Sequence, residues 1–188
     1  MMRIITGSAK GIHLKTLAGD STRPTSERVK EAVFSMLQFD VEGRRVLDLF
    51  SGSGQMALEA LSRGAASAVM IDGNRDAIRI MEENALKTRL YDRCQIVRSD
   101  YMDYIRRHHG DAFDLVFLDP PYASGFYRPA LRALLQYQLL KPTTLIVCES
   151  GTDELFGNDT DLESRFSVVR SSRYSKTYIT VLSLAEEG

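Results

Sequence analysis

The chain has little cysteine, no long apolar run and no histidine cluster, and each scarcity removes a class of protein. Cys94 and Cys148 are the only two thiols among 188 residues. Each lies inside an apolar segment, and two such residues make neither a disulfide framework nor a zinc site. Packed thiols in a reducing compartment are expected. Three histidines, among them the adjacent His108 and His109, show no ligand spacing, so no metal is expected. No stretch approaches the ~20 apolar residues of a membrane span. The opening "MMRIITGSAKG" has no apolar core of signal-peptide length. A cytoplasmic protein without membrane contact is the expectation. Internal repeats and low-complexity linkers are also missing, and 44% hydrophobic with 26% charged residues is ordinary globular composition, so a compact monomer is the default.

What the chain does have is an uneven charge. The net charge is −1, yet residues 1–30 carry Arg3, Lys10, Lys15, Arg23, Arg28 and Lys30 against Asp20 and Glu27, while the other 158 residues hold 18 basic and 23 acidic side chains. A basic arm on a mildly acidic body suits a polyanion, and a lysine-protected sheet edge would look the same. "RIITG" and "IHLKTLA" read as a hairpin. "TRPTSERVKEAVFSML" reads as a helix entered through Thr25 or Ser26, with Val29, Val33, Met36 and Leu37 on one apolar face. Residues 1–42 are expected to form a basic hairpin and helix that packs on or extends a main domain at 43–188.

From residue 44 short apolar runs alternate with helical segments. The runs are "RRVLDLF", "ASAVMID", "CQIVRS", "FDLVFLD" and "TTLIVCES"; the intervening segments have 3.6-residue periodicity. This predicts an α/β fold, an open and mostly parallel sheet covered on both faces, with ligands at the strand C-termini. "RFSVVRSSR" and "KTYITVLSL" are then joined so closely that they must form an antiparallel hairpin. A sheet closed in this way resembles the class I methyltransferase fold, Rossmann-like, more than an all-parallel dinucleotide-binding sheet.

"VLDLFSGSGQMA" takes the first strand into a glycine loop and a helix. Gly52 and Gly54 let the backbone turn sharply and approach a ligand, and Asp72 ends the next strand, where a carboxylate can accept ribose hydroxyls. This is a nucleoside site. Gly52-x-Gly54-x-x-Ala57 with Asp72 fits NAD and S-adenosylmethionine alike. Asp48 tips the balance: a carboxylate before the loop suits the ammonium group of a methionine-type ligand and would repel pyrophosphate. It could also cap loop amides. Asp100 ends the third strand, where it can meet an adenine amine or cap the helix that begins near Tyr101.

"LDPPY" ends the fourth strand. Two prolines stop a strand, but at this rim they also hold a carbonyl rigidly. A purine amine is a poor nucleophile because its lone pair is delocalised into the ring. Asp119 and the Pro120 carbonyl can accept its two N–H bonds and turn that pair toward a sulfonium methyl, while Pro121 borders the base and Tyr122 stacks on it.

"DPPY" after an apolar strand, with "DLFSGSG" upstream, resembles the amino-methyltransferases that act on nitrogen conjugated to a planar system. "RIITGSAKGIHLKT", "TRPTSERVKEAVFSML", "LDLFSGSG", "LEALSRGA" and "LDPPY", in that order across essentially the whole chain, resemble the RsmD type of bacterial 16S ribosomal RNA guanine-N2 methyltransferase. The resemblance implies that Asp48, Gly52, Gly54, Asp72 and Asp100 line a pocket for S-adenosylmethionine. It implies further that Asp119, Pro120, Pro121 and Tyr122 hold the guanine, and that Arg23 with the Arg3 and Lys10 arm approaches 16S rRNA in a small-subunit particle or assembly intermediate. Two departures stand out: the second-strand carboxylate is Asp72 where relatives often have Glu, and "GQMALEA" replaces the usual small apolar residues. A DNA adenine-N6 enzyme shares the chemistry but usually needs an added recognition domain. A NAD-binding oxidoreductase would want hydride-transfer residues at the later strand ends, where only "DPPY" and "CES" stand. An idle RNA-binding module would not need Asp119.

Overall fold

Val, Ile and Leu runs too short for helices become strands when helices cover both faces of the sheet they form. A computed structural model describes residues 2–17, 25–120 and 125–186. In it the five apolar runs are the parallel strands β1 (Arg45–Asp48), β2 (Ser67–Asp72), β3 (Cys94–Arg98), β4 (Phe113–Leu118) and β5 (Leu140–Ser150). Helix α1 (Thr25–Met36) precedes them, and α2 (Gln55–Ser62), α3 (Arg75–Thr88), α4 (Tyr101–Arg107) and α5 (Tyr127–Gln136) connect them. A short α6 (Thr160–Ser164) leads into β6 (Phe166–Tyr174) and β7 (Thr177–Leu184), which pair antiparallel across the two-residue turn Ser175–Lys176. β7 also pairs antiparallel with β5, giving the order β3-β2-β1-β4-β5-β7-β6. The order reverses between β1 and β4, and this switch point opens a crevice at the strand C-termini.

Alternation along the strands divides the core. Val46, Met70, Phe117 and Val147 face the side covered by α1, α2, α3 and the N-terminal segment. Leu47, Ile71, Val116 and Cys148 face α4 and α5. Cys94 and Cys148 are free thiols, and burial pushes both up to about 12.

One element differs from the sequence expectation. β5 begins at Leu140 rather than Thr143, because the strand continues through Pro142 with a break in register opposite Phe113–Leu115. Pro142 has no N–H for the ladder, and the buried Thr144 hydroxyl closes the irregularity by donating to the Phe113 carbonyl at 2.6 Å and accepting from the Lys141 N–H at 2.7 Å. The N-terminal hairpin is present and short: Arg3 and His13 form an antiparallel bridge, flanked by the Ile4 N–H donating to the Ile12 carbonyl and the Leu14 N–H to the Met2 carbonyl, both at 2.9 Å. Helix side chains fasten it to the body. Glu59 of α2, fully buried, accepts the Ile5 and Thr6 N–H groups at 2.8 and 3.0 Å, the Arg63 guanidinium at 2.9 Å, and pairs with the Lys30 ammonium at 3.3 Å. Gly7 passes so near α2 that a Cβ would lie 1.8 Å from the Ser62 carbonyl oxygen. The basic surplus of the first thirty residues is therefore partly structural: Lys30 is buried, Arg3 pairs with Glu27 and Lys15 with Glu83, whereas Lys10 and Arg28 are exposed.

Candidate active site

The loop after β1 gains its shape from two left-handed glycines, Gly52 (φ 53) and Gly54 (φ 78). A Cβ at Gly54 would press to 3.2 Å on Met70 and Met81, whereas one at Gly52 would meet open space. Gly54 is thus required by packing, and Gly52 by its backbone conformation beside a gap. The Gly52 N–H donates to Asp72 at 2.9 Å, and the Asn74 N–H donates to the other oxygen of the same carboxylate at 2.8 Å. Asp72 therefore ties the first two strand ends together.

Asp48 is buried beneath this loop. Burial raises its carboxyl from 3.8 to about 7, Asp72 adds to the rise, and hydrogen bonds involving Ser51 and the Phe50 and Ala57 backbone oppose it. The hydrogen bonds with the Phe50 and Ala57 backbone fit the reading of Asp48 as a residue that organises the loop amides. Asp100 is the cap of α4, its Oδ1 accepting the Met102 and Asp103 N–H groups at 2.8 and 3.2 Å while its side chain stays exposed at the rim.

The end of β4 lies beside the end of β1, since Phe117 is in register with Asp48. Asp119 shares a small cleft there with Val33 of α1, Met56 of α2, Phe117, and Val147 and Glu149 of β5. Pro120 is buried next to it. The helix entered from "TRPT" thus reaches the cleft that holds the "DPP" carboxylate. Arg23, Pro121 and Tyr122 lie outside the described residues. Arg3 donates from Nε to Glu27 at 2.7 Å, and Lys10 is exposed with the segment that α2 anchors. A larger hollow of about 780 Å3 opens between the ends of α1 and α2, near Phe39 and Gly64, at the opposite ends of the strands; none of the expected site residues lines it. Among the described residues there is no cluster of His, Cys, Asp and Glu fit for a metal ion and no helix long and apolar enough to cross a membrane.

The family described as conserved hypothetical protein 95, the RsmD family, matches residues 2–183. The chain belongs to it. YlbH of Bacillus subtilis is 40% identical over 152 residues, 79% of this chain and 82% of that protein. The ribosomal RNA small subunit methyltransferase D of Escherichia coli K12 is 34% identical over 152 residues, 81% of this chain and 76% of that one. The solved structure of yhhF from Escherichia coli superposes with a TM-score of 0.85 at 29% identity, over 97% of both chains.

Several residues of this RsmD-family site carry no motif in the sequence. Phe50 and Phe126, from the loops after β1 and β4, and Tyr101, the first residue of α4, pack together with ring centroids 5.0 to 5.8 Å apart and form an apolar wall. Asn84 of α3, fully buried, accepts the Lys15 N–H at 2.8 Å and donates to the Lys15 and Ser53 carbonyls, both at 2.9 Å. One amide thereby joins the basic N-terminal segment to the glycine loop. Glu149, inside "CES", is another. Its place at the end of β5 was readable, but the cleft it shares with Asp119 needed the register.

Proposed function

We propose that this RsmD-family chain transfers a methyl group from S-adenosylmethionine to the exocyclic N2 amine of a guanine in 16S ribosomal RNA, in a small-subunit particle or its assembly intermediate. The observation that carries the reading is Asp119–Pro120 directly after β4, whose Phe117 is in register with Asp48 across the switch point. Relatives named for small-subunit ribosomal RNA support the substrate class.

The residues present fit the cofactor. Open space beside Gly52 leaves room for a ligand close to the backbone, Asp48 suits the methionine ammonium, Asp72 at the rim suits ribose, and the Phe50–Tyr101 wall suits adenine beside Asp100. Bound there, S-adenosylmethionine supplies a methyl group activated by its sulfonium. Asp119 and the Pro120 carbonyl each accept one N–H of the guanine amine and aim its lone pair at that methyl. As the amine nitrogen took up that methyl and the sulfur left as a neutral thioether with the bonding pair, Asp119 would accept the released amine proton and pass it to water. Orientation contributes more than base strength, since departure of a neutral thioether is already favourable.

Calorimetry tests the cofactor and kinetics test the clamp. S-adenosylhomocysteine should bind more tightly than NAD; the opposite order would contradict methyl transfer. Asp119→Ala should lose about 10²-fold or more in turnover while S-adenosylhomocysteine affinity stays within about twofold. Equal loss of both would make Asp119 a structural residue.

A further inference from the structure

Two carboxylates, not one, stand where the amine is proposed to enter. In the β4–β5 ladder Phe117 pairs with Val147 and Leu118 with Cys148; continued one residue past β4 at the ~4.8 Å spacing of neighbouring strands, that register brings Asp119 beside Glu149, and both line one cleft. Alternation fixes the side. Phe117 and Val147 face α1 and α2 while Leu118 and Cys148 face α5, so Asp119 and Glu149 project toward α1 and α2. Pairing with β7 agrees, because Glu149 is in register with Ile179, whose side chain belongs to the same α1–α2 face. The cleft lined by Asp119, Glu149, Val33 and Met56 is the direct consequence. Tyr127 steadies the strand end by donating its hydroxyl to the Glu149 carbonyl.

We propose that Glu149 accepts the N1–H of the target guanine while Asp119 and Pro120 hold its N2 amine, making Glu149 a specificity-determining residue. This rests on the guanine-N2 reading above. The Watson–Crick edge of guanine presents N1–H next to the N2 amine, two donor groups on adjacent positions, and adjacent carboxylates match that pattern. Adenine places an acceptor at N1, which would face the carboxylate without a proton between them. An unpaired buried polar group costs selectivity of about 10⁴–10⁵ in sites built to hydrogen-bond their substrate, so Glu149 can exclude a base that Asp119 alone would admit. The apolar walls Val33 and Met56 make the cleft a place where that penalty is felt.

The test uses small-subunit particles whose target guanine is replaced by 2-aminopurine, a base that keeps the N2 amine and has an acceptor at N1. Wild-type enzyme should methylate guanine at least about 10²-fold faster than 2-aminopurine. Glu149→Gln offers an amide N–H to the N1 acceptor, so it should move the guanine to 2-aminopurine ratio toward 2-aminopurine by about tenfold or more. The missing O6 of 2-aminopurine affects both enzymes and cancels in that comparison. An unchanged ratio in Glu149→Gln, with S-adenosylhomocysteine binding intact, would overturn the role of Glu149 and leave guanine-N2 transfer standing. Equal wild-type rates on the two bases would overturn it without any variant. Failure of the wild type to methylate guanine at N2 would instead overturn the reading on which the proposal rests.

Discussion

At the scale of single residues, Asp48 makes the sharpest claim. Its carboxyl stays protonated in the folded protein up to about pH 7, whereas in the unfolded chain it ionises near its ordinary 3.8. The folded state therefore binds a proton that the unfolded state has lost, and Asp48 penalises folding progressively as pH rises from 3.8 to about 7. A ligand ammonium binds the ionised form. Affinity for S-adenosylhomocysteine should consequently rise with pH through about 7, by up to about tenfold per unit on the acid side, and Asp48→Asn should flatten the profile. Calorimetry across neutral pH reads both, and a wild-type affinity independent of pH would remove the ammonium from Asp48. The positions of Asp48, Asp72, Asp100 and Asp119 were legible because each follows an apolar run, and in an open α/β sheet a run's end is a place. Glu149 was not, because its meaning depends on a rung shared with β4.

Among elements, the N-terminal segment has the attachments hardest to read from its sequence. Its alternating residues suggested the hairpin that forms, but its backbone also finds partners on α2 and α3. Nothing local marks Glu59 or Asn84 as those partners, since contacts 53 to 69 residues apart leave no periodic trace. Removing the Glu59 carboxylate would strand Lys30, whose ammonium burial already pushes down and Glu59 pulls back up. Glu59→Ala should cost about 3–5 kcal/mol in urea unfolding. A loss under about 1 kcal/mol, the size of an exposed pair, would show that the pair is not buried in solution. Asn84→Asp tests the link between segment and loop. The substitution keeps the acceptor for the Lys15 N–H but sets a carboxylate against two carbonyl oxygens. It should weaken S-adenosylhomocysteine binding by about tenfold, or ~1.4 kcal/mol, and speed amide exchange at Lys15. Unchanged binding and exchange would sever the connection.

For the molecule as a whole, the alternation of strand and helix and the final hairpin gave the sheet before any coordinates, because covering both faces of a parallel sheet leaves few topologies. Charge was harder to read. Three of the five basic side chains among the described residues of the first thirty are engaged in ion pairs, and the surface left for a polyanion includes Lys10 and Arg28. RNA affinity should still fall linearly with the logarithm of salt concentration, and Lys10→Gln should lower that slope by about 1. A slope unaltered by Lys10→Gln would return the residue to protecting a solvated segment.

The proposed activity joins a nucleoside loop, an amine clamp and relatives named for ribosomal RNA, and one measurement addresses all three. Labelled S-adenosylmethionine is incubated with the protein and, in parallel, with small-subunit particles, free 16S ribosomal RNA and DNA, and the product nucleosides are separated. The account predicts label in N2-methylguanosine from the small-subunit RNA. Label in N6-methyladenine, or none in guanine at all, would contradict it.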